Sequence, residues 1–266
     1  MATHQEGLSA TDAGNPEAIE LPDRVSDVLG VPVLQETMGD VLARVQRAVA
    51  EGTSLNIGVV NAAKLVNMQS DSELDAAVRS SDVIYADGMS VVWASRVLKN
   101  PLPCRVPGID LMSEILNDGQ EKRYRVFCLG ATDEVLEKAV AHFRNTYPGT
   151  VIAGHRNGYF SADEEESVAT QIRDSQADIL FVAITSPKKE RFMARWADYM
   201  NVPVVHGVGG SFDVVAGKVQ RAPVSWQRLG LEWLYRVKQE PGRLWKRYAK
   251  TNTAFIYRVF KQRLSG

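Results

Sequence analysis

The sequence lacks features that several classes of protein require. Its two cysteines, Cys104 and Cys128, cannot form a disulfide framework or a cysteine-rich zinc site, so we expect a reduced cytosolic setting. No apolar run reaches the roughly eighteen residues of a membrane-spanning helix, and none is expected. Residues 1–20 contain neither a basic nor an apolar segment, so we expect no secretory signal.

Motifs that bind nucleotides or metals through a fixed spacing are also missing. There is no G-x-x-x-x-G-K-[ST] loop, and Gly207, Gly209 and Gly210 do not open a G-x-G-x-x-G turn. The four histidines are scattered, and neither an H-E-x-x-H nor an Asp-x-Asp motif occurs. These absences disfavour a structural metal, a histidine-based catalytic triad and a metal-dependent nucleotide-sugar enzyme.

The composition is that of an ordinary globular protein. Of the 266 residues, 45% are hydrophobic and 24% are charged, which argues against long disordered regions. The length suits one domain of about 200 residues with an appendage. We expect a flexible N-terminus over residues 1–24, an α/β core over 25–220 and a basic, helical appendage over 221–266.

Charge is divided unevenly between these parts. Residues 221–266 contain 11 lysines and arginines against Glu232 and Glu240, a net charge of +9. The first 220 residues therefore carry a net charge of −10, since the whole chain carries −1. A basic tail on an acidic body indicates an anionic partner, namely lipid head groups, a pyrophosphate or nucleic acid.

Short apolar runs alternate with helical patterns through the predicted core. The predicted strands are Leu55–Val60, Asp82–Tyr85, Tyr124–Leu129, Val151–Ala153, Ile179–Ile184 and Val202–His206. The predicted helices are Met38–Glu51, Ala62–Ser80, Ser90–Lys99, Asp110–Asn117, Asp133–Thr146, Ala162–Ser175 and Pro187–Met200. Strands separated by helices predict an α/β fold with a parallel-rich sheet. The nearly continuous apolar runs indicate strands that are covered on both faces.

The tail ends in a predicted amphipathic helix that begins at Glu240-Pro241. One half of it is apolar: Leu244, Trp245, Tyr248, Phe255, Ile256, Val259 and Phe260. The other half is basic: Arg243, Lys246, Arg247, Lys250, Arg258 and Lys261. Such a helix either lies on an anionic membrane or docks on the core with a solvated basic face. The one-sided charge favours the membrane.

Polar residues and glycines follow several predicted strands. They are Asn61, Asp87, Thr132, Ser186, Gly209, Gly210 and Asp213. Each has a simpler explanation as a turn, a helix cap or a tight bend. Ligands bind at the carboxyl edge of an open parallel sheet, however, and these residues follow five strands at one edge, which predicts a ligand cleft.

Six stretches of the sequence carry a resemblance to a known family. In order they are Asn61-Ala62-Ala63-Lys64, Ala86-Asp87-Gly88-Met89, Arg105-Val106-Pro107-Gly108-Ile109-Asp110-Leu111, Ser186-Pro187-Lys188-Lys189-Glu190, Gly209-Gly210-Ser211-Phe212-Asp213, and a long run from Gly217 to Pro241. The chain resembles the WecG/TagA/CpsF glycosyltransferases, family 26, over roughly residues 30 to 250. Within the family it is most similar to the β-1,4-glucosyltransferases of xanthan-type lipid-linked repeat units.

The resemblance implies a Rossmann-like core whose C-terminal appendage completes the site at the membrane. It implies an inverting transferase, peripheral on the inner face of the cell membrane, that moves a sugar from UDP to a saccharide on polyprenyl pyrophosphate. No metal or other cofactor is expected. The expected partners are the UDP-sugar, the lipid-linked acceptor and an anionic membrane surface, with no nucleic acid; a homo-oligomer is left open.

The identity of the sugar depends on two departures from the family. Lys189 stands where the family usually has Gln, and Val59 where it often has Thr. A lysine adds a charge that can serve a phosphate, and valine removes a hydroxyl, which is consistent with glucose as the donor sugar. We therefore expect UDP-glucose and a role in exopolysaccharide assembly. The alternative is N-acetylmannosamine or a related amino sugar, transferred by the same mechanism.

Inversion requires a base that takes the proton of the acceptor hydroxyl. The resemblance assigns this role to Asp87, with Asp213 as runner-up. The departing UDP needs cationic side chains or backbone N–H groups. Expected at the donor are Asn61, Arg105, Gly130, Lys189, Gly209, Gly210, Phe212 and Asp213. Expected at the acceptor pyrophosphate or the membrane are Arg221, Arg228, Arg236, Arg243, Lys246 and Arg247.

Two other classes of function compete with a transferase. The basic tail suits a nucleic-acid-binding protein, but its aromatic residues lie on the apolar face and do not alternate with Arg and Lys as a stacking platform requires. The α/β pattern also suits a dinucleotide-dependent oxidoreductase, although a fold alone does not assign a function.

Overall fold

The computed structural model describes residues 24–265, except for the side chain of Arg243. Apart from Arg24, the segment predicted to be a flexible N-terminus lies outside the described residues.

An antiparallel hairpin begins the described chain. Its strands are β1 (Val25–Val28) and β2 (Val31–Leu34), with Val28 opposite Val31. Leu29 and Gly30 form the turn with φ angles of 57° and 79°, and such positive values favour glycine. The sequence patterns did not predict this hairpin, because each of its strands is only four residues long.

Six further strands form one parallel sheet. They are β3 (Leu55–Val60), β4 (Val83–Ala86), β5 (Arg125–Gly130), β6 (Val151–Arg156), β7 (Ile179–Ala183) and β8 (Val204–Gly207). Their order across the sheet is β4-β3-β8-β7-β5-β6, and every neighbouring pair is parallel. The predicted α/β fold with a Rossmann-like parallel sheet is therefore confirmed.

Twelve α-helices lie in the described chain. They are α1 (Met38–Glu51), α2 (Ala62–Met68), α3 (Ser72–Arg79), α4 (Met89–Val97), α5 (Gly108–Lys122), α6 (Asp133–Thr146), α7 (Glu165–Asp174), α8 (Lys188–Met200), α9 (Ser211–Val215), α10 (Val224–Arg228), α11 (Glu232–Gln239) and α12 (Pro241–Ser265). The single helix predicted over Ala62–Ser80 is in fact α2 and α3. The Asp71 side chain starts a new helix there, because it accepts a hydrogen bond from the N–H of Leu74 at 2.9 Å.

Side chains alternate between the two faces of the sheet, as strand geometry requires. Val59 and Tyr85 belong to the core shared with α1, α5 and α6. Val60 and Ile84 belong to the opposite core, which is built with α2, α3 and α4. Helices α7 and α8 cover the rest of that second face. Because both faces are covered, only the edges of the sheet and the ends of its strands are available to a ligand.

Helix α12 docks on the body of the protein, the alternative that the sequence left open. It packs on α2 and α4, and Leu244, Phe255 and Val259 are buried. Arg258 donates a hydrogen bond from Nη1 to the carbonyl of Val66 at 3.0 Å. Gln262 accepts one from the N–H of Leu29 at 2.9 Å, which ties the helix to the hairpin.

Five large apolar residues of α12 remain exposed: Trp245, Ile256, Tyr257, Phe260 and Leu264. In the part of the chain that the structure describes, no helix is long and apolar enough to cross a membrane. The boundary drawn at residue 220 between core and appendage stays a prediction.

Candidate active site

The carboxyl ends of the parallel strands open onto a cleft of about 960 Å³. Asn61 after β3, Asp87 after β4, Ser186 after β7 and Gly210 after β8 all line it. Residues of α4, α11 and α12 also line it. The structure thus has a cleft at the sheet edge where the sequence predicts one.

Asp87 is half-buried in the cleft wall, directly after β4. Its N–H donates to the carbonyl of Val60 at 2.9 Å, which continues the pairing of β3 with β4. Its Oδ1 accepts a hydrogen bond from the N–H of Gly108 at 3.1 Å. Gly108 is the first residue of α5, so the Asp87 carboxylate lies at the N-terminal end of that helix. An ionised carboxylate in a cleft can take a proton from a hydroxyl group.

His206 supports this arrangement from the sheet. It is fully buried at the end of β8, and its Nε2 lies 3.1 Å from the carbonyl oxygen of Gly108. Because a carbonyl can only accept, Nε2 carries the proton. Burial lowers the pKa of His206 to about 4, so the ring is neutral near pH 7. No sequence motif assigns a role to His206; the only sign of one is its place as a polar residue near the end of an apolar strand.

A buried group of three charges lies beside Asp87. Lys64 donates from Nζ to the carbonyl of Val59 at 2.6 Å and lies 2.8 Å from Glu190 Oε1. Lys189 Nζ lies 3.3 Å from the same carboxylate oxygen. Lys64 and Glu190 appear in the motifs of the sequence, but nothing in the sequence pairs them, since they come from α2 and α8.

The ionisation of these groups follows from their burial and their neighbours. Burial opposes the charge of Glu190, but Lys64 and Lys189 outweigh it and lower the pKa of Glu190 to about 2. Burial lowers the pKa of Lys189 to about 8, and Lys64 adds to this shift, while Glu190 and Asp87 oppose it. Lys189 is therefore a cation that can lose its proton close to neutral pH.

Five of the residues expected at the donor line the cleft: Asn61, Lys189, Gly209, Gly210 and Asp213. Asn61 also caps α2, because its Oδ1 accepts from the N–H of Lys64 at 3.0 Å. The N–H of Gly209 already donates to the carbonyl of Val182 at 3.3 Å. The amide of Gly210 is therefore the better placed of the two to meet a phosphate.

Asp213, the second candidate base, has an ion-pair partner. Its Oδ1 lies 3.0 Å from Nζ of Lys218, and its backbone carbonyl accepts from the N–H groups of Lys218 and Val219 at 2.9 and 3.1 Å. The carboxylate thus holds the turn that follows α9. Asp87 has no ion pair of comparable geometry among the described residues, which makes it the better candidate for the base.

Arg105, expected at the donor, does not line the cleft. Its Nη1 forms an ion pair with Glu232 of α11, and its Nη2 donates to Gln227 at 3.3 Å. This pair joins the loop before α5 to the appendage helices. The structure therefore gives Arg105 a structural partner, and Glu232, which does line the cleft, connects that pair to the site.

Gly130 and Phe212, also expected at the donor, lie outside the cleft lining as well. Gly130 has a φ of 134°, and a Cβ there would lie 2.4 Å from the carbonyl oxygen of Ala183, so the glycine is needed where β5 meets β7. Phe212 is fully buried, with its ring 5.9 Å from that of Phe143 in an edge-to-face contact. Both residues pack within the protein and do not line the cleft.

Three of the six basic residues expected at the acceptor line the cleft. They are Arg221, Arg236 and Arg247. Arg221 Nη2 also lies 2.6 Å from Asp110 Oδ1. Arg228 and Lys246 are exposed outside the cleft lining, and the Arg243 side chain lies outside the described residues.

The outer end of the cleft is apolar. Trp93 of α4 and Trp245, Ile256 and Phe260 of α12 line it, and all four are about half exposed. The cleft therefore passes from a charged inner end at the sheet to an apolar outer end between two helices. A ligand that is polar at one end and hydrocarbon at the other matches this gradient.

Within residues 24–265, no three His, Cys, Asp or Glu side chains are grouped so that they could hold a metal ion. The expectation that no cofactor is needed stays a prediction.

Comparison with known proteins relates residues 26–266 of the chain to one family. Residues 26–266 match the family model described as "Glycosyl transferase WecG/TagA/CpsF family". The chain is 34% identical over 239 residues to an N-acetylglucosaminyldiphosphoundecaprenol N-acetyl-beta-D-mannosaminyltransferase of Staphylococcus aureus strain MW2, covering 88% of this chain and 92% of the relative. It is 37% identical over 173 residues to a protein of the same name from Bacillus spizizenii, covering 65% and 66%.

Proposed function

Because the chain belongs to the WecG/TagA/CpsF family of glycosyltransferases, we propose that it transfers N-acetylmannosamine from UDP to N-acetylglucosamine carried on a polyprenyl diphosphate. Both relatives are named for this sugar and this kind of acceptor. Their names support the amino-sugar alternative. They do not support the UDP-glucose donor and the exopolysaccharide role that the departures at Lys189 and Val59 led us to expect.

The observation that carries the proposal is the carboxylate of Asp87 in the cleft, hydrogen-bonded by the first N–H of α5. In the proposed step, Asp87 takes the proton of the acceptor hydroxyl. The hydroxyl oxygen then bonds to the anomeric carbon, and the bond from that carbon to the β-phosphate oxygen breaks. The electron pair of the broken bond leaves with UDP. A single displacement of this kind inverts the configuration at the anomeric carbon. A positioned base increases the rate of such a step about 10²–10⁴-fold.

We assign the departing diphosphate to cations and backbone amides at the inner end of the cleft. Lys189 and the N–H of Gly210 are the candidates, with Arg221 and Arg236 approaching from the appendage side. Donors that are already in position when charge develops lower the barrier most, because they need no reorganisation during the reaction. In this proposal the reaction proceeds without a metal.

The lipid end of the acceptor is assigned to the outer end of the cleft. Arg247 is exposed there beside Trp245, Ile256 and Phe260. Basic and aromatic side chains together suit a membrane surface, because the cations meet anionic head groups and the rings enter the interface. We propose that the protein acts as a peripheral enzyme on the inner face of the membrane.

The proposal is tested by supplying purified protein with one acceptor and several donors. The acceptor is a short-chain prenyl diphosphate carrying N-acetylglucosamine, and the donors are UDP-N-acetylmannosamine, UDP-N-acetylglucosamine and UDP-glucose, each with and without EDTA. Mass spectrometry of the lipid product is expected to show addition of N-acetylmannosamine, unchanged by EDTA. Addition of glucose instead would reassign the donor, and no addition from any UDP-sugar would contradict the proposed reaction.

A further inference from the structure

We propose that Lys189 serves two anions in turn: the carboxylate of Asp87 before transfer, and the β-phosphate of UDP as its bond to the sugar breaks. The inference rests on the proposed function, and it assigns to a single buried ammonium group a part in both halves of the reaction. It concerns a position where this chain departs from the residue usual in the enzymes that it resembles.

The charges around Lys189 require a second anion. Lys64 and Lys189 face one carboxylate between them, that of Glu190, and all three side chains are less than 10% exposed. A buried cation without a full partner is costly, so Lys189 keeps its proton only where another negative group compensates it. Asp87 lines the same cleft and is the other carboxylate whose charge favours protonated Lys189. His206, the nearby titratable group on β8, is neutral.

Of the two lysines, Lys189 is the less committed to Glu190. Lys64 is held by two short contacts, at 2.6 Å to the Val59 carbonyl and 2.8 Å to Glu190. Lys189 is 3.3 Å from the same carboxylate oxygen. Its ammonium group is therefore available to a further anion without breaking the Lys64–Glu190 pair.

Gly207 provides the space in which the Lys189 side chain lies. A Cβ at Gly207, the last residue of β8, would be 2.9 Å from Cε and 3.1 Å from Nζ of Lys189. The lysine thus passes directly over the end of a central strand, where ligands bind in open α/β sheets. Even a methyl group at residue 207 would displace the ammonium group.

The charge changes of the proposed reaction match this position. When the acceptor proton moves to Asp87, the carboxylate loses its negative charge. When the bond from the anomeric carbon to the phosphate oxygen breaks, UDP gains one. The negative charge therefore passes from base to leaving group while the cation stays in place, so the ammonium group has an anionic neighbour throughout the transfer and needs no reorganisation.

The test measures protons taken up when UDP binds, by isothermal titration calorimetry at pH 8 in two buffers that differ in ionisation enthalpy. Free Lys189, with a pKa of about 8, is about half protonated at this pH. The terminal phosphate of UDP is already ionised, since such groups titrate near pH 6. If the phosphate contacts Lys189, binding completes its protonation, and the uptake is expected to be about half a proton.

Three variants make this readout specific. Lys189→Gln is expected to abolish the uptake and weaken UDP binding about tenfold or more. Lys189→Arg keeps the charge but does not titrate, so it is expected to bind UDP with no uptake. Lys138→Gln, which removes an exposed lysine of α6, is the matched charge control and is expected to behave like the unmodified protein.

Two further measurements separate the outcomes. In transfer assays, Lys189→Gln is expected to slow turnover much less in an Asp87→Asn background than alone, because both residues act in one charge shift. If Lys189→Gln fails to fold, judged by its melting temperature, Gly207→Ala displaces the lysine and is expected to reduce the uptake. Proton uptake unchanged in the Lys189 variants would overturn the inference and leave the proposed function intact. No binding of UDP by the unmodified protein would overturn both.

Discussion

The ring of His206 donates a hydrogen bond from Nε2 to the carbonyl oxygen of Gly108, at 3.1 Å, from a fully buried position at the end of β8. The N–H of the same Gly108 donates to Oδ1 of Asp87 at 3.1 Å. A histidine on a central strand thus fixes the residue that orients the proposed base on the edge strand. The position of the Asp87 carboxylate therefore depends on the packing of His206 inside the sheet, well behind the cleft.

Replacing Asp87 by asparagine tests its assignment as the base. Asp87→Asn keeps the size of the side chain and can still accept from Gly108, but it removes the basic oxygen. Turnover is expected to fall at least about a hundredfold, with little change in UDP affinity, because the lost role exists mainly in the transition state. Steady-state kinetics and calorimetry measure the two effects. Asp174→Asn, at an exposed position, is the control; near-normal turnover in Asp87→Asn would move the base to Asp213.

Buried His206 is expected to make the protein less stable in mild acid. Its pKa is about 4 in the folded protein, against 6.5 as the ordinary value. Between these values the unfolded chain binds more protons, so the free energy of unfolding falls as the pH decreases, by up to about 1.4 kcal/mol per pH unit. Urea denaturation at pH 6.5, 5.5 and 4.5 measures this slope.

His206→Gln is expected to flatten that slope, because it removes the titrating group. Glu190 acts in a separate window: its lowered pKa stabilises the fold above about pH 4.5, and this contribution is lost as the pH falls towards 2. An equal slope between pH 6.5 and 4.5 in the His206→Gln variant would show that other groups control acid stability.

The docked position of α12 predicts a contrast between two neighbouring residues. Phe255 is 4% exposed and Ile256 is 56% exposed. Phe255→Ala is expected to lower the free energy of unfolding by about 3 kcal/mol, because it leaves a cavity against α2 and α4. Ile256→Ala is expected to change it by less than about 0.5 kcal/mol. Thermal or urea unfolding measures both, and equal effects would mean that the helix is not docked as described.

The exposed face of the same helix predicts membrane binding. A variant with serine at Trp245, Ile256 and Phe260 is expected to bind vesicles that contain anionic lipid at least about tenfold more weakly, with the melting temperature unchanged. Binding is not lost entirely, because Tyr257, Leu264 and basic side chains of α12 remain exposed. Binding by the unmodified protein is expected to weaken with added salt, since the basic side chains of α12 are screened. Tyr159→Ser, at an exposed position outside the cleft lining, is the control. Vesicle binding that is unchanged by the triple substitution would remove α12 as the anchor.

Much of the fold can be predicted because its signals are local. Leu55–Val60, Met38–Glu51 and Asp133–Thr146 have the predicted bounds, since continuous apolar runs and helical periodicity are recorded in neighbouring residues. The prediction of one helix from Ala62 to Ser80 was wrong, because the structure has two helices there. The break depends on the cap formed by Asp71, and no proline or glycine marks it in the sequence. The hairpin at Val25–Leu34 is too short to have a clear period.

The candidate site is less predictable, because its contacts join distant parts of the chain. The sequence places Asp87 and Asn61 at strand ends, and these residues do line the cleft. The sequence cannot show that Lys64 and Lys189 share the carboxylate of Glu190, or that Glu232 of the appendage engages Arg105, because both depend on how the helices pack. The docking of α12 is hidden for the same reason, since its apolar stripe suits a membrane and a protein core equally.

The configuration of the product tests the central claim most directly. The protein is supplied with UDP-N-acetylmannosamine, α-linked in the donor, and a prenyl-diphosphate N-acetylglucosamine acceptor, and NMR of the purified product reports the new anomeric centre. A single displacement assisted by Asp87 predicts a β linkage, formed by the unmodified protein and lost in Asp87→Asn. An α-linked product, or a β-linked product formed equally fast by Asp87→Asn, would contradict the account.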